Sequence, residues 1–159
     1  MIWTVPAAAM LALAIGQSAA PPLAAYVGKY AHDKVRGVTF LDHPVVRKAV
    51  ARAAPNRMVE WQLLQPEVTT PISAKDSLML TQSCEAHNCP YQTWAVLIDR
   101  ATGRAALCYY DEDLTGDARW FVGGELAYRV ADMSCPHDVG EVPAEVVAAL
   151  AADTSEGDE

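Results

Sequence analysis

The hydrophobic pattern changes its period along the chain. Between Asp42 and Asn56, the apolar residues Val45, Val46, Ala49, Val50 and Ala53 recur at helical spacing, and Arg47, Lys48 and Arg52 lie off that stripe. Asp42 is the candidate N-cap, Pro44 suits the first turn, and Pro55 with Asn56 ends the helix. From Trp61 onward the period becomes two. Residues 77–82, 93–99, 104–110 and 119–122 read as short strands, with 126–130 as a weaker fifth. In the second of these, Trp94, Val96 and Ile98 share one face. The link Arg100-Ala101-Thr102-Gly103 reads as a hairpin turn in which Gly103 is free to take a positive φ, and Gly123-Gly124 marks another turn. A short helix is predicted over 142–152 with Pro143 at its start. Consecutive short strands with tight turns predict an antiparallel meander of about five strands; with helices packed on one side, the fold class is α+β. Trp61, Trp94 and Trp120 are read as core residues.

The N-terminal pattern differs from both. Residues 1–20 carry no charge, and 7–15 form an apolar run too short for a bilayer, which takes roughly 20 residues. The small-residue stretch Gln17-Ser18-Ala19-Ala20 follows, as in a secretory signal peptide, with cleavage expected between 20 and 25. This reading leaves one domain over 26–152 and an acidic frayed tail over 153–159, in a protein that is periplasmic or secreted. Hydrophobic residues make up 52% of the 159, which excludes a disordered chain. The formal net charge of −8 argues against nucleic acid and favours a basic partner.

Export changes how the four cysteines are read. An even count in an oxidising compartment predicts two disulfides. Of the three possible pairings, Cys84–Cys89 with Cys108–Cys135 is the simplest, because the first two are already local. By loop entropy the short bridge is worth about 2 kcal/mol and the long one about 3.5 kcal/mol. The short bridge therefore shapes a loop more than it stabilises the fold.

That loop is Cys84-Glu85-Ala86-His87-Asn88-Cys89, set between two predicted strands with His87 and Asn88 at its tip. Pinning it lowers the entropy lost when it docks. Three other readings compete. Cys84, His87 and Cys89 are of metal-ligand type, but no fourth ligand stands at a familiar spacing and oxidised thiols do not ligate. A cysteine nucleophile needs a free thiolate. By spacing alone, a stapled hairpin with an exposed histidine is the plainest reading. No paired-carboxylate motif, nucleophile elbow or phosphate loop is present, so neither catalysis nor a cofactor or metal is expected.

The loop resembles the Cys-Lys-Pro-His-Asp-Cys loop of the inhibitor of vertebrate lysozyme (Ivy) family. The resemblance extends over 77–122: a strand before the loop, a strand like Trp94-Ala95-Val96-Leu97-Ile98-Asp99 after it, a turn and strand like 103–110, an acidic stretch, and a strand containing a tryptophan like Trp120. It implies a small α+β domain, often dimeric, that inserts the loop into the active site of c-type lysozyme or a lytic transglycosylase. His87 would then approach the catalytic carboxylates. Glu85, Ala86 and Asn88 stand where the family has Lys, Pro and Asp. A non-inhibitory envelope interaction module on the same fold is the alternative implied by these departures.

Overall fold

The computed structural model describes residues 19–65, 67–131 and 133–153. The expected signal segment lies outside them up to residue 18, as does the tail beyond 153.

The α+β architecture is the one expected, built on one antiparallel sheet. The elements run α1 (Pro44–Ala53), α2 (Arg57–Leu63), β1 (Val68–Thr69), β2 (Ser73–Lys75), β3 (Leu78–Cys84), β4 (Gln92–Asp99), β5 (Arg104–Asp111), β6 (Asp117–Val122), β7 (Glu125–Ala131) and α3 (Ala144–Ala152). The strand order is β1-β3-β4-β5-β6-β7, with β2 also pairing with β3. Strands β3 to β7 are the five predicted; β1 and β2 are two and three residues long and extend the sheet beyond β3.

The turns follow from their residues. Val122 pairs with Glu125 across Gly123-Gly124, whose φ values of 58° and 83° suit a primed two-residue hairpin. Between β4 and β5, Gly103 takes φ 69° and its N–H donates to the Asp99 carbonyl at 2.8 Å. The Asp99 carboxylate accepts from the Ala101 N–H at 3.0 Å and from Thr102 Oγ1 at 2.9 Å, which organises this turn without any covalent link.

The alternation along β4 divides the core in two. Trp94, Val96 and Ile98 join Met79, Ala105 and Leu107 under Val46, Ala49 and Val50 of α1 and Val59 and Leu63 of α2. Ala95 and Leu97 face the other way, with Leu80, Ala106, Cys108 and Trp120, under Val146 and Leu150 of α3. Packing on one side thus describes α1 and α2, while the short α3 covers the opposite face. Each large apolar side chain buried this way contributes about 1.5–3 kcal/mol. Beyond β7 the chain returns across the second face. There the Cys135 N–H donates to Thr93 Oγ1 at 3.0 Å, and Gln82 Nε2 donates to the Cys135 carbonyl at 2.7 Å. The disulfide Cys108–Cys135 fastens this return to the middle of the sheet.

Three local expectations need correction. The N-cap of α1 is His43, not Asp42. His43 is buried, and its Nδ1 accepts from the Val45 N–H at 3.3 Å while Nε2 stands 2.9 Å from the Pro21 carbonyl. The tautomer with its hydrogen on Nε2 satisfies both contacts. Asp42 instead pairs with Arg47 at 3.1 Å. Second, Val45 is exposed rather than part of the buried stripe. Third, Trp61 is not core: it is 62% exposed. Asn56 both follows α1 and caps α2 through its side-chain oxygen. In that two-turn helix Val59 and Leu63 face the sheet, so Trp61, halfway between them, points away.

Candidate functional site

The two ends of the loop are fixed by the sheet. Cys84 is the last residue of β3 and pairs with Thr93 of β4, so the strands hold their ladder up to the mouth of the loop. Both predicted disulfides are formed, Cys84–Cys89 and Cys108–Cys135, and no cysteine is free among the described residues. Neither the nucleophilic nor the metal-ligand reading of Cys84 and Cys89 has the thiolate it requires. Two disulfides place the protein in an oxidising environment. Among the described residues no helix is long and apolar enough to cross a membrane.

Inside the ring, the Asn88 N–H donates to the Glu85 carbonyl at 3.0 Å and closes a four-residue turn. His87 is the third residue of that turn, with φ 67°. A positive φ at this position favours glycine or asparagine; a histidine there costs about 1 kcal/mol. The surrounding contacts hold it. The Ala86 N–H donates to Glu67 Oε2 at 2.9 Å, which anchors the loop to the segment before β1. On the other side the Tyr91 and Gln92 N–H groups donate to the Asn88 carbonyl at 2.9 and 3.0 Å. The turn is thus fixed from both flanks as well as by the bridge.

The side chains of the loop sort into two kinds. Asn88 Nδ2 donates to Glu85 Oε2 at 2.9 Å, so these two close on each other. His87 is exposed, and its side chain makes no hydrogen bond or ion pair with the described residues. It is the one titratable group that the loop presents with both ring nitrogens free.

Beside the loop lies a polar groove of about 550 Å³, lined by Glu85, Asn88, Tyr91, Gln92, Asp111, Glu112 and Asp113. Its acidic wall is mostly structural. Asp111 Oδ1 accepts from the N–H groups of Asp113 and Leu114, each at 3.1 Å, and Oδ2 accepts from Gln92 Nε2 at 2.9 Å. Tyr109 reports the local field: burial raises its hydroxyl pKa, and the Asp111 and Glu85 carboxylates raise it further against the opposing Gln92 contact. It therefore remains a donor toward Asp111 Oδ2, at 3.4 Å.

All six predicted loop residues fall in this one constellation. Tyr91 also lines the groove beside the loop, with half its surface exposed. The sequence reading missed Glu67, which reaches the loop from 19 residues away. It also missed Asp111, which closes the groove wall from β5. Neither has a local signal, because each arrives through strand pairing. Compared with known proteins, the chain matches no family model, no curated protein and no solved structure.

Proposed function

We propose that the protein is an exported, non-catalytic inhibitor. It docks the Cys84–Cys89 loop into the active-site cleft of a basic muramidase, either c-type lysozyme or a lytic transglycosylase. One observation carries this reading. His87 is exposed, without a partner among the described residues, and held in an unfavourable backbone conformation at the tip of a disulfide-closed loop. Strain maintained at an exposed tip does not serve the core, and such positions cluster where a chain meets its ligand. An imidazole offers one donor and one acceptor, or two donors when charged, to a pair of carboxylates. The net charge of −8 speeds encounter with a strongly basic target. The resemblance to the Ivy loop supplies the target class. Removal of the signal segment near Ala20 fits this reading better than removal near Ala25, which would take away the buried Leu23 and the Pro21 carbonyl that faces His43.

A second reading is favoured by one specific contact. Glu85 and Asn88 are spent on each other, and the adjoining groove wall is acidic. Such a wall meets a carboxylate-lined cleft with repulsion unless it lies outside it. The scaffold would then serve as an interaction module in the cell envelope with another basic partner. Clearing of a peptidoglycan suspension by c-type lysozyme separates the two. The inhibitor reading expects clearing to stop near one equivalent of the purified mature protein. Undiminished clearing at a large excess, with a lytic transglycosylase equally unaffected in the same assay, would leave the envelope module as the surviving reading.

A further inference from the structure

We propose that the Cys84–Cys89 bridge is a redox latch: a dithiol reduces it selectively, and its reduction releases the His87 turn while the domain stays folded. The two disulfides differ in access. Cys108 and Cys135 are 0% and 1% exposed, under α3 and the returning chain. An attacking thiolate reaches them only if the second face opens. Cys89, in contrast, is half-buried in a loop flanked by exposed residues, with Pro90 and Tyr91 open to solvent beside it.

The chemistry is a two-electron exchange. A thiolate of the dithiol attacks Cys89 Sγ and forms a mixed disulfide, and Cys84 leaves as a thiolate that takes a proton from water. The second thiol of the reductant then displaces Cys89, which is protonated in turn. The dithiol is oxidised to its disulfide, and the protein gains two thiols. Both thiols have acceptors already in place: the Val68 carbonyl lies 3.9 Å from Cys84 Sγ, and the Glu85 carbonyl 3.6 Å from Cys89 Sγ. The ladder ends at Cys84 and Thr93, so opening the ring breaks no strand pairing. What is lost is the covalent closure of the ring, which leaves the His87 turn to the Glu67 and Asn88 hydrogen bonds at its flanks. The consequence for docking rests on the function proposed above: a released loop loses more entropy on binding. The latch itself does not depend on the target.

The test therefore uses no target. The folded protein is titrated with dithiothreitol, trapped by alkylation and mapped by peptide mass, and backbone amide exchange is followed in parallel. Alkylation of Cys84 and Cys89 alone is expected, with exchange at Asn88 faster by about tenfold or more and the strand amides unchanged. The double variant Cys84→Ser with Cys89→Ser should reproduce the fast Asn88 exchange without any reductant. Four cysteines modified together, or none before denaturant is added, would overturn the proposal. So would an Asn88 amide that remains protected in the reduced protein and in the double variant.

Discussion

The two disulfides close rings of very different length and sit in opposite surroundings. Cys84–Cys89 spans a sequence separation of 5 at the rim of the sheet, and Cys108–Cys135 spans 27 through the buried second face. The long bridge holds a chain segment that would otherwise have few ties to the sheet. Its partners there are Thr93, Gln82 and, through the Val139 N–H, Ser73 Oγ at 2.8 Å. The short bridge holds nothing but its own turn. This covalent link adds little to the fold but closes the turn that carries an exposed histidine. The same bond type thus serves stability in one place and shape in the other, and burial distinguishes the two.

Removing each bridge sharpens that contrast. Cys108→Ser with Cys135→Ser should lower unfolding stability by about 3.5 kcal/mol through loop entropy alone. The buried hydroxyls add to this loss. A urea midpoint shifted by less than the shift from opening the short ring would break the assignment. Cys84→Ser with Cys89→Ser should cost about 2 kcal/mol or less. The near-ultraviolet circular dichroism of buried Trp94 and Trp120 should be retained, and its loss would show that the loop bridge supports the core.

The β4–β5 turn supplies the smallest effect, because it is organised without a bridge. Burial raises the Asp99 pKa, but hydrogen bonds from Ser77, Ala101 and Thr102, with Arg104 nearby, outweigh this and leave it below the usual carboxylate value. The folded state therefore favours the ionised carboxylate. This contribution is fully present above the unfolded pKa, about 3.9, and is lost as pH falls through the lower folded value. The carboxylate is mostly solvated, so the gain stays below about 1 kcal/mol. Asp99→Asn should remove this acid-side slope from urea unfolding measured between pH 5 and pH 2. An unchanged slope would mean that the turn does not depend on the charge.

The sequence disclosed the sheet well because its signals are local. Period two in 93–99, Gly103, and the pair Gly123-Gly124 each act within a few residues, and the meander follows from them. It disclosed α2 poorly. A two-turn helix with only Val59 and Leu63 buried has too little periodicity to stand out, and residue type alone points Trp61 to the core, where it does not lie. Similarly, Asp42 is the stronger capping residue by propensity. His43 takes the position because Nε2 also reaches Pro21, a contact across 22 residues that no local rule contains. At the site, both disulfide pairs are legible from the even cysteine count and the local spacing of Cys84 and Cys89. The left-handed His87, the Glu85–Asn88 clip and the Glu67 anchor are not. They depend on where β1 and β3 place the two flanks of the ring.

On the proposed function, His87 is the residue that the loop presents to its target. Titration calorimetry of His87→Ala against c-type lysozyme, beside the unaltered protein, tests it most directly. The expected result is tight binding by the unaltered chain and a loss of at least about 2 kcal/mol in the variant. Folding stability should change by no more than about 0.5 kcal/mol, since an exposed side chain buries little. Equal dissociation constants for the two proteins would contradict the claim and leave the loop as a stapled hairpin.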